Sequence, residues 1–333
     1  MSFVSFSSLA SFRSFYGPHP CGGGYSLFFN KNKGKQGVAR VIRMTGLFLL
    51  PIVTTGLTLG TTEGAPAPRP RKVRVALCQI LCVDGDREGN FKRIEESLAQ
   101  AKKGGAQIAC FPESAILGWV NPEAHRLAHP IPGKDTERLA DLARRFDLML
   151  CVGLEEKDGD RLFGAVGLIA RDGRLLFKHR KINVLPELMT PPYTPGIPED
   201  IGTTGTEFGR IGLLLCADTF SPRHLEIMRD RKPDLVLVPY GWAAKPDEWP
   251  AHGESLLKTV AKAAQTIGAP VVGADNIGTI THGPWTGRTY GGQSVATDAD
   301  GNVLARGKDR EADVVVFDVP LGRKEPKGQG PSR

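Results

Sequence analysis

The chain has 333 residues, of which 41% are hydrophobic and 24% charged, with a formal charge of +7. This is the composition of a globular protein with room for one large domain or two ordinary ones, and it excludes collagen-like, low-complexity and wholly disordered classes. The Lys and Arg excess is scattered over surface-type segments and the two ends, with no basic stripe interleaved with aromatics, so a nucleic-acid partner is not expected.

Residues 1–72 differ from everything after them. Ser2–Gly24 is rich in Ser, Phe and Gly and has no helical or strand period; Lys31, Lys33, Lys35, Arg40 and Arg43 then form a basic segment, followed by the apolar run Leu47–Leu59, broken by Pro51 and Gly56. The run is too short for a secure membrane span. Basic, then apolar, then small residues (Ala65-Pro66-Ala67) is the order of an export signal, although Pro68 is a poor fit for cleavage after Ala67. The leader is therefore expected to be an export signal, with an anchor at residues 47–59 or a disordered leader as the alternatives, which leaves localisation open, a periplasmic or secreted protein and a membrane-anchored one among the readings. The Pro-rich stretch Ala65–Lys72 reads as a linker. The folded domain is expected over residues 73–320, with a basic disordered tail over 321–333.

From Val73 onward, short runs rich in Val, Ile and Leu alternate with amphipathic segments. Strands are predicted at Val73–Ile80, Gln107–Phe111, Leu148–Leu154, Phe163–Ala170, Leu175–Lys178, Ile211–Cys216, Leu235–Pro239, Pro270–Ala274, Gln293–Thr297, Val303–Arg306 and Val314–Val319. Helices are predicted at Arg87–Lys103, Asp135–Phe146, Pro222–Arg231 and Gly253–Ile267; in the second, Leu139, Leu142, Ala143 and Phe146 share a face. Asp172-Gly173 and Asp300-Gly301 mark hairpin turns. Strands separated by helices, with hairpins late in the chain, specify an α/β domain with a mixed sheet.

The six cysteines are even in number, but Cys78, Cys110, Cys151 and Cys216 sit inside apolar runs, where a free thiol packs as a small hydrophobe. No CxxC or HExxH spacing occurs, so neither a metal nor any other cofactor is expected. Three strings stand out because each closes an apolar run with a reactive residue: Ile108-Ala109-Cys110-Phe111-Pro112-Glu113, Phe177-Lys178-His179-Arg180-Lys181, and Gly212-Leu213-Leu214-Leu215-Cys216-Ala217-Asp218. Ligands of α/β proteins bind at the carboxyl ends of strands. Glu113 could take the proton of the Cys216 thiol, Lys181 could favour the thiolate, and Lys181 with the backbone N–H of Ala217 could hold an oxyanion. Singly, each residue reads as well as a surface charge or an inert core thiol.

The ordered set resembles the nitrilase (carbon–nitrogen hydrolase) superfamily, whose members carry such a Glu, Lys and Cys in this order. Val73-Arg74-Val75-Ala76-Leu77-Cys78-Gln79 looks like its first strand, Tyr193-Thr194-Pro195-Gly196 like its aromatic–x–Pro–Gly string, and Gly291-Gly292-Gln293-Ser294 with Asp300-Gly301-Asn302-Val303-Leu304 like its late hairpin. The resemblance covers Val73 to Pro320. It implies a four-layer αββα sandwich, a homo-oligomer of dimers or larger, and hydrolysis of a non-peptide C–N bond through a thioester on the cysteine, with release of ammonia or an amine. It also implies a second Glu past the lysine, for which Glu187 is the candidate, and pocket roles for Tyr193 and Trp242. Nitrile-cleaving members show Cys-Trp-Glu where this chain has Cys216-Ala217-Asp218, which points to an amide or carbamoyl substrate.

Four other readings compete. The same fold could pass its acyl group to an amine, hydrolyse a nitrile, or serve as an inactive binding protein. A cysteine amidotransferase of another fold would need a histidine downstream of the thiol, and His224, His252 and His282 are available. A chain beginning at residue 73 is expected to be soluble and to retain the activity of the full chain; a loss of solubility repaired only by residues 1–72 would make the leader part of the fold.

Overall fold

The computed structural model describes residues 72–323. The expected leader up to residue 71, with its apolar run Leu47–Leu59, and the expected tail from residue 324 lie outside them.

Alternation within the strands decides the architecture. Strand β1 (Lys72–Gln79) sends Val73, Val75 and Leu77 into one apolar cluster and Ala76 and Cys78 into another. Successive strand residues face opposite sides, so a sheet apolar on both faces requires a layer against each. Its neighbours are β2 (Ile108–Cys110), β3 (Met149–Asp158), β4 (Arg161–Ile169) and β5 (Leu175–Arg180), and the first sheet runs β15-β1-β2-β3-β4-β5, with β15 spanning Asp313–Pro320. The pairs β1·β2 and β2·β3 are parallel and the others antiparallel.

The second sheet comprises β6 (Thr203–Thr206), β7 (Gly209–Leu213), β8 (Leu235–Tyr240), β10 (Val271–Asp275), β13 (Val295–Thr297) and β14 (Val303–Arg306), in the order β14-β13-β10-β8-β7-β6. In β8, Leu235 and Leu237 face the first sheet, whereas Val236, Val238 and Tyr240 face outward. Val75, Leu77, Ile108 and Met149 of one sheet meet Leu213, Leu235, Leu237 and Val272 of the other in a fully buried middle layer.

Helices close the outer faces. Phe91, Ile94 and Leu98 of α1 (Arg87–Lys103), with Leu139, Leu142 and Ala143 of α3 (Lys134–Phe146), cover the first sheet; the single-turn α2 spans Ala124–Leu127. Leu225 and Met228 of α4 (Pro222–Asp230), with Leu256, Val260 and Ile267 of α5 (Gly253–Ile267), cover the second. Two ends follow local rules: Ser221 caps α4 by accepting from the His224 N–H ahead of Pro222, and Gly268 ends α5 at φ +76°. The layers are α, β, β, α, the sandwich that the resemblance implies. Among the described residues the five cysteines are free.

A third, small sheet has the order β11-β12-β9, from β11 (Ile277–Thr279), β12 (Thr289–Gly291) and β9 (Ala243–Ala244). Two- and three-residue strands carry no periodic signal, and the sequence did not mark them. One predicted strand also ends early: β7 stops at Leu213, and Cys216 opens a short turn over Cys216–Phe220.

One close approach ties the first sheet to the loop after β2. A Cβ on Gly153 of β3 would stand 2.5 Å from the Pro112 carbonyl oxygen and 2.6 Å from Glu113 Cα. Both neighbours are backbone and cannot step aside cheaply. Gly153→Ala is expected to lower stability by about 1–3 kcal/mol, read as a shift of the urea midpoint. Gly205→Ala, whose Cβ would meet nothing within 4 Å, is expected to stay within roughly 0.5 kcal/mol of the parent; equal effects would discount the contact.

Candidate active site

Three chain segments converge at one rim. Glu113 lies three residues beyond β2, where its N–H donates to the Tyr240 carbonyl at 3.1 Å and its carbonyl accepts from Asn276 Nδ2 at 2.8 Å. Tyr240 ends β8 and Asn276 follows β10, so the carboxylate of the first sheet is held by the second. Lys181 directly follows β5; its N–H donates to Gly164 O and its carbonyl accepts from Gly196 N–H, both at 2.8 Å. Tyr193-Thr194-Pro195-Gly196, the string singled out in the sequence, thus pins the lysine backbone.

Lys181 Nζ donates to Glu113 Oε1 at 2.6 Å, and both side chains are buried. Burial on its own would depress the lysine, but the Glu113 carboxylate, by its charge and its hydrogen bond, outweighs it and holds the ammonium protonated above its usual range. Glu113 Oε2 is buried with no hydrogen-bond partner, an acceptor left open. Gly241 keeps it so: a Cβ there would lie 3.0 Å from Oε2.

Cys216 is 6% exposed and has φ +46°, a left-handed conformation rare for a residue with a side chain. The turn that it opens holds it there. Thr219 Oγ1 donates to the Cys216 carbonyl at 2.8 Å, and Asp218 N–H donates to Leu215 O at 3.0 Å. Asp218 is the first residue of the turn to bond backward, which leaves the Ala217 N–H ahead of the turn's own ladder. Burial pushes the Cys216 thiol well up, the Glu113 charge adds to this, and Lys181 and the Gly241 N–H act the other way. The resting group is a thiol.

Asp218 fastens the cysteine turn to the lysine loop. Its Oδ1 accepts from Ile182 N–H (3.0 Å) and Asn183 N–H (2.8 Å), and its Oδ2 contacts His179 Nε2 at 2.8 Å. Burial raises this carboxyl, but His179 and the backbone donors hold it below its ordinary value. Asn183 Nδ2 adds a bond to Ala217 O at 2.8 Å. His179 and Asp218 both stood in the strings quoted from the sequence, where Asp218 served only as a guide to substrate class and their pairing was not expected.

The remaining predicted residues separate. Trp242 and Ala217 line a 270 Å³ cavity with Cys216 and Lys181. Tyr193 is buried beside it, its hydroxyl accepting from the Val120 N–H at 3.3 Å next to Trp119, so it backs a wall and does not line it. Glu187 is exposed in the turn Pro186–Leu188 and is not brought to the cluster, whereas Leu188 beside it is buried. A different buried carboxyl, Glu155 on β3, is raised by burial to about 8, with the Glu113 charge contributing. Of the three histidines, only His252 lines the cavity; His224 lies in α4 and His282 contacts Asp84 at 3.1 Å. Trp119, Trp285 and Arg288 also line it, and no motif in the sequence flags these loop residues. Among the described residues no cluster of His, Cys, Asp and Glu could hold a metal ion.

A family model described as carbon–nitrogen hydrolase matches residues 74–326. The chain is 24% identical over 261 residues to a nitrilase of Pyrococcus abyssi, covering 75% of this chain and 90% of that protein. It is 29% identical over 192 residues to the omega-amidase NIT2 of Mus musculus, covering 55% of this chain and 68% of that protein. In fold it is similar to an amidase of Nesterenkonia sp. AN1 from the nitrilase superfamily, with TM-score 0.65 and 22% identity over 77% of this chain and 94% of that one.

The electrostatics around the thiol give a test with a definite sign. Removing the Glu113 charge leaves Lys181 uncompensated beside Cys216, and both changes favour the thiolate. In Glu113→Gln, alkylation of Cys216 by iodoacetamide is expected to reach half its limiting rate at a lower pH than in the parent protein. A shift to higher pH would mean that the carboxylate does not act on the thiol.

Proposed function

Because this chain belongs to the carbon–nitrogen hydrolase family and is an amidase-like hydrolase of C–N bonds, we propose that it opens a small amide or carbamoyl compound through a thioester on Cys216. The observation that carries this reading is the buried Lys181–Glu113 pair at 2.6 Å beside a thiol kept protonated by its surroundings.

The reaction begins with a proton transfer. As Cys216 Sγ attacks the substrate carbonyl carbon, its proton passes to Glu113, whose Oε2 has no other partner. The carbonyl oxygen becomes an oxyanion, held by Lys181 Nζ and the Ala217 N–H. Glu113 returns the proton to the nitrogen, the C–N bond breaks, and ammonia or an amine leaves an acyl group on sulfur. Water then attacks the thioester with Glu113 accepting its proton, and the thiol re-forms on release of the acid. The small Ala217 beside the nucleophile, where nitrile-cleaving relatives carry tryptophan, supports an amide or carbamoyl substrate over a nitrile.

Quenching the reaction and weighing the protein is expected to reveal an acyl adduct on Cys216, with one ammonia or amine released per turnover. Cys216→Ala should show neither, and Lys181→Ala should lose at least about 100-fold in kcat, with Arg no substitute for the lysine because its guanidinium is larger and planar. Turnover without an adduct, or faster cleavage of nitriles than of the matching amides, would overturn the proposal.

A further inference from the structure

One buried acid has no part in the reaction described above. Glu155 lies on β3, 1% exposed, and among the described residues neither of its carboxyl oxygens is hydrogen-bonded. Alternation along β3 places it on the same face as Gly153, two residues earlier, which packs against the Glu113 backbone. Gly164 stands directly opposite Glu155 in the β3–β4 pairing, and its carbonyl accepts from the Lys181 N–H at 2.8 Å. A Cβ on Gly164 would lie 3.8 Å from Lys181 Cβ and 3.9 Å from Cδ, so the lysine stem runs over that glycine. Glu155 thus sits between the glycine under the carboxylate's segment and the glycine under the lysine.

The groups around it are acids and weak acids. Burial pushes Glu155 up to about 8; the nearby Ser114 hydroxyl and its own N–H act the other way, and the charges of Glu113 after β2 and Asp135 on α3 add to the rise. Burial first and the Glu155 charge next push up both the Cys82 thiol after β1 and the Tyr193 hydroxyl after β5. Lys181, the cation on this face, is engaged by Glu113 at 2.6 Å. Burial also raises Asp275 at the end of β10, but that carboxyl accepts from the Trp242 N–H at 2.6 Å, a donor of a kind that Glu155 does not have. Neighbouring carboxyls resist ionising together. With one ammonium at hand, contact with Lys181 fixes the charge on Glu113 and leaves the proton on Glu155.

Resting on the amidase reading, we propose that Glu155 is a positioning residue: as a neutral acid it floors the ion pair and leaves Glu113 the one carboxylate that Lys181 serves. The proton that Glu113 takes from Cys216 and returns to the leaving nitrogen never passes to Glu155, which keeps its own through the cycle. Without that proton Glu155 becomes a second carboxylate on the same face. It competes for the ammonium and drives a proton onto Glu113, which leaves the thiol without a base. Activity therefore falls as pH rises through the ionisation of Glu155.

The test follows ammonia release from short primary amides, acetamide to hexanamide, against pH. In the full-length protein kcat/KM is expected to decline above pH about 8. Glu155→Gln, similar in size and neutral at every pH, is expected to match the parent within about threefold near pH 7 and to exceed it by at least about 10-fold near pH 9.5. The infrared carbonyl band of protonated carboxyls, read without substrate, should weaken in the parent over the same pH range as the rate, and should be smaller at neutral pH in Glu155→Gln, where Asp275 still contributes. A folded Glu155→Gln that is inactive near pH 7, or that keeps the parent's alkaline decline, overturns the proposal. So does a parent band that persists beyond the decline in rate, a result that stands even where the variant does not fold. If neither protein turns over any amide, the hydrolytic reading fails and the band alone decides: its reduction in Glu155→Gln supports the neutral acid, and an unchanged band overturns it.

Discussion

The buried ion pair between Glu113 and Lys181 is the constraint on which the rest of the site depends. Both charges are withdrawn from water, and a buried pair that loses one partner typically costs about 3–5 kcal/mol. The protein offsets that exposure to failure by fixing both backbones. Tyr240 and Asn276 hold Glu113, while Gly164 and Gly196 hold Lys181. A glycine on each side, Gly153 and Gly241, lets the carboxylate's segment sit against its neighbours without a Cβ in the way. The thiol then experiences a carboxylate and an ammonium whose positions are set before any substrate arrives, the preorganisation that makes such groups effective.

Much of this was legible in the sequence. Four helices and eleven strands could be read from apolar periodicity because the layers are thick enough to impose it: a residue of β1 or β8 faces either the middle layer or a helix, and the alternation records which. Glu113, Lys181 and Cys216 were legible because each closes such a run and the three occur in a familiar order. What escaped was what periodicity does not encode. The strands of the small sheet are two or three residues long. Cys216 lies outside the strand that precedes it because a left-handed turn, not an extended backbone, presents its sulfur. Glu187 fitted by spacing alone, and its side chain is exposed while Leu188 of the same turn is buried. Asp218 and His179 were visible as letters, but their pairing joins the cysteine turn to β5, 39 residues apart.

The chemistry and the cavity walls have different origins in the fold. The reacting residues follow β2, β5 and β7 of the two main sheets, whereas Trp285 and Arg288 come from the connection between β11 and β12, and Phe220 from the end of the cysteine turn. Strand ends hold positions within narrow limits, and surface connections tolerate substitution. The same three residues can therefore be retained while Trp285, Arg288 and Phe220 change, which is how one scaffold takes many substrates.

The carboxylate and ammonium ride on the first sheet, and the thiol rides on the second. No strand pairing joins the two sheets across the middle layer; interdigitated Val, Leu, Ile and Met side chains, with the hydrogen bonds of Glu113 and Asp218 at the rim, set their relative placement. A slide of one sheet by a single strand residue, about 3.3 Å, would part the thiol from its base, and a misplacement near 1 Å already costs about 100-fold in well-aligned reactions. Reactivity at Cys216 is thus a gauge of inter-sheet alignment far more sensitive than the helical content of the outer layers. Loosening of the middle layer by heat, denaturant or a shortened core side chain is therefore expected to silence the thiol before spectroscopy records a loss of helix.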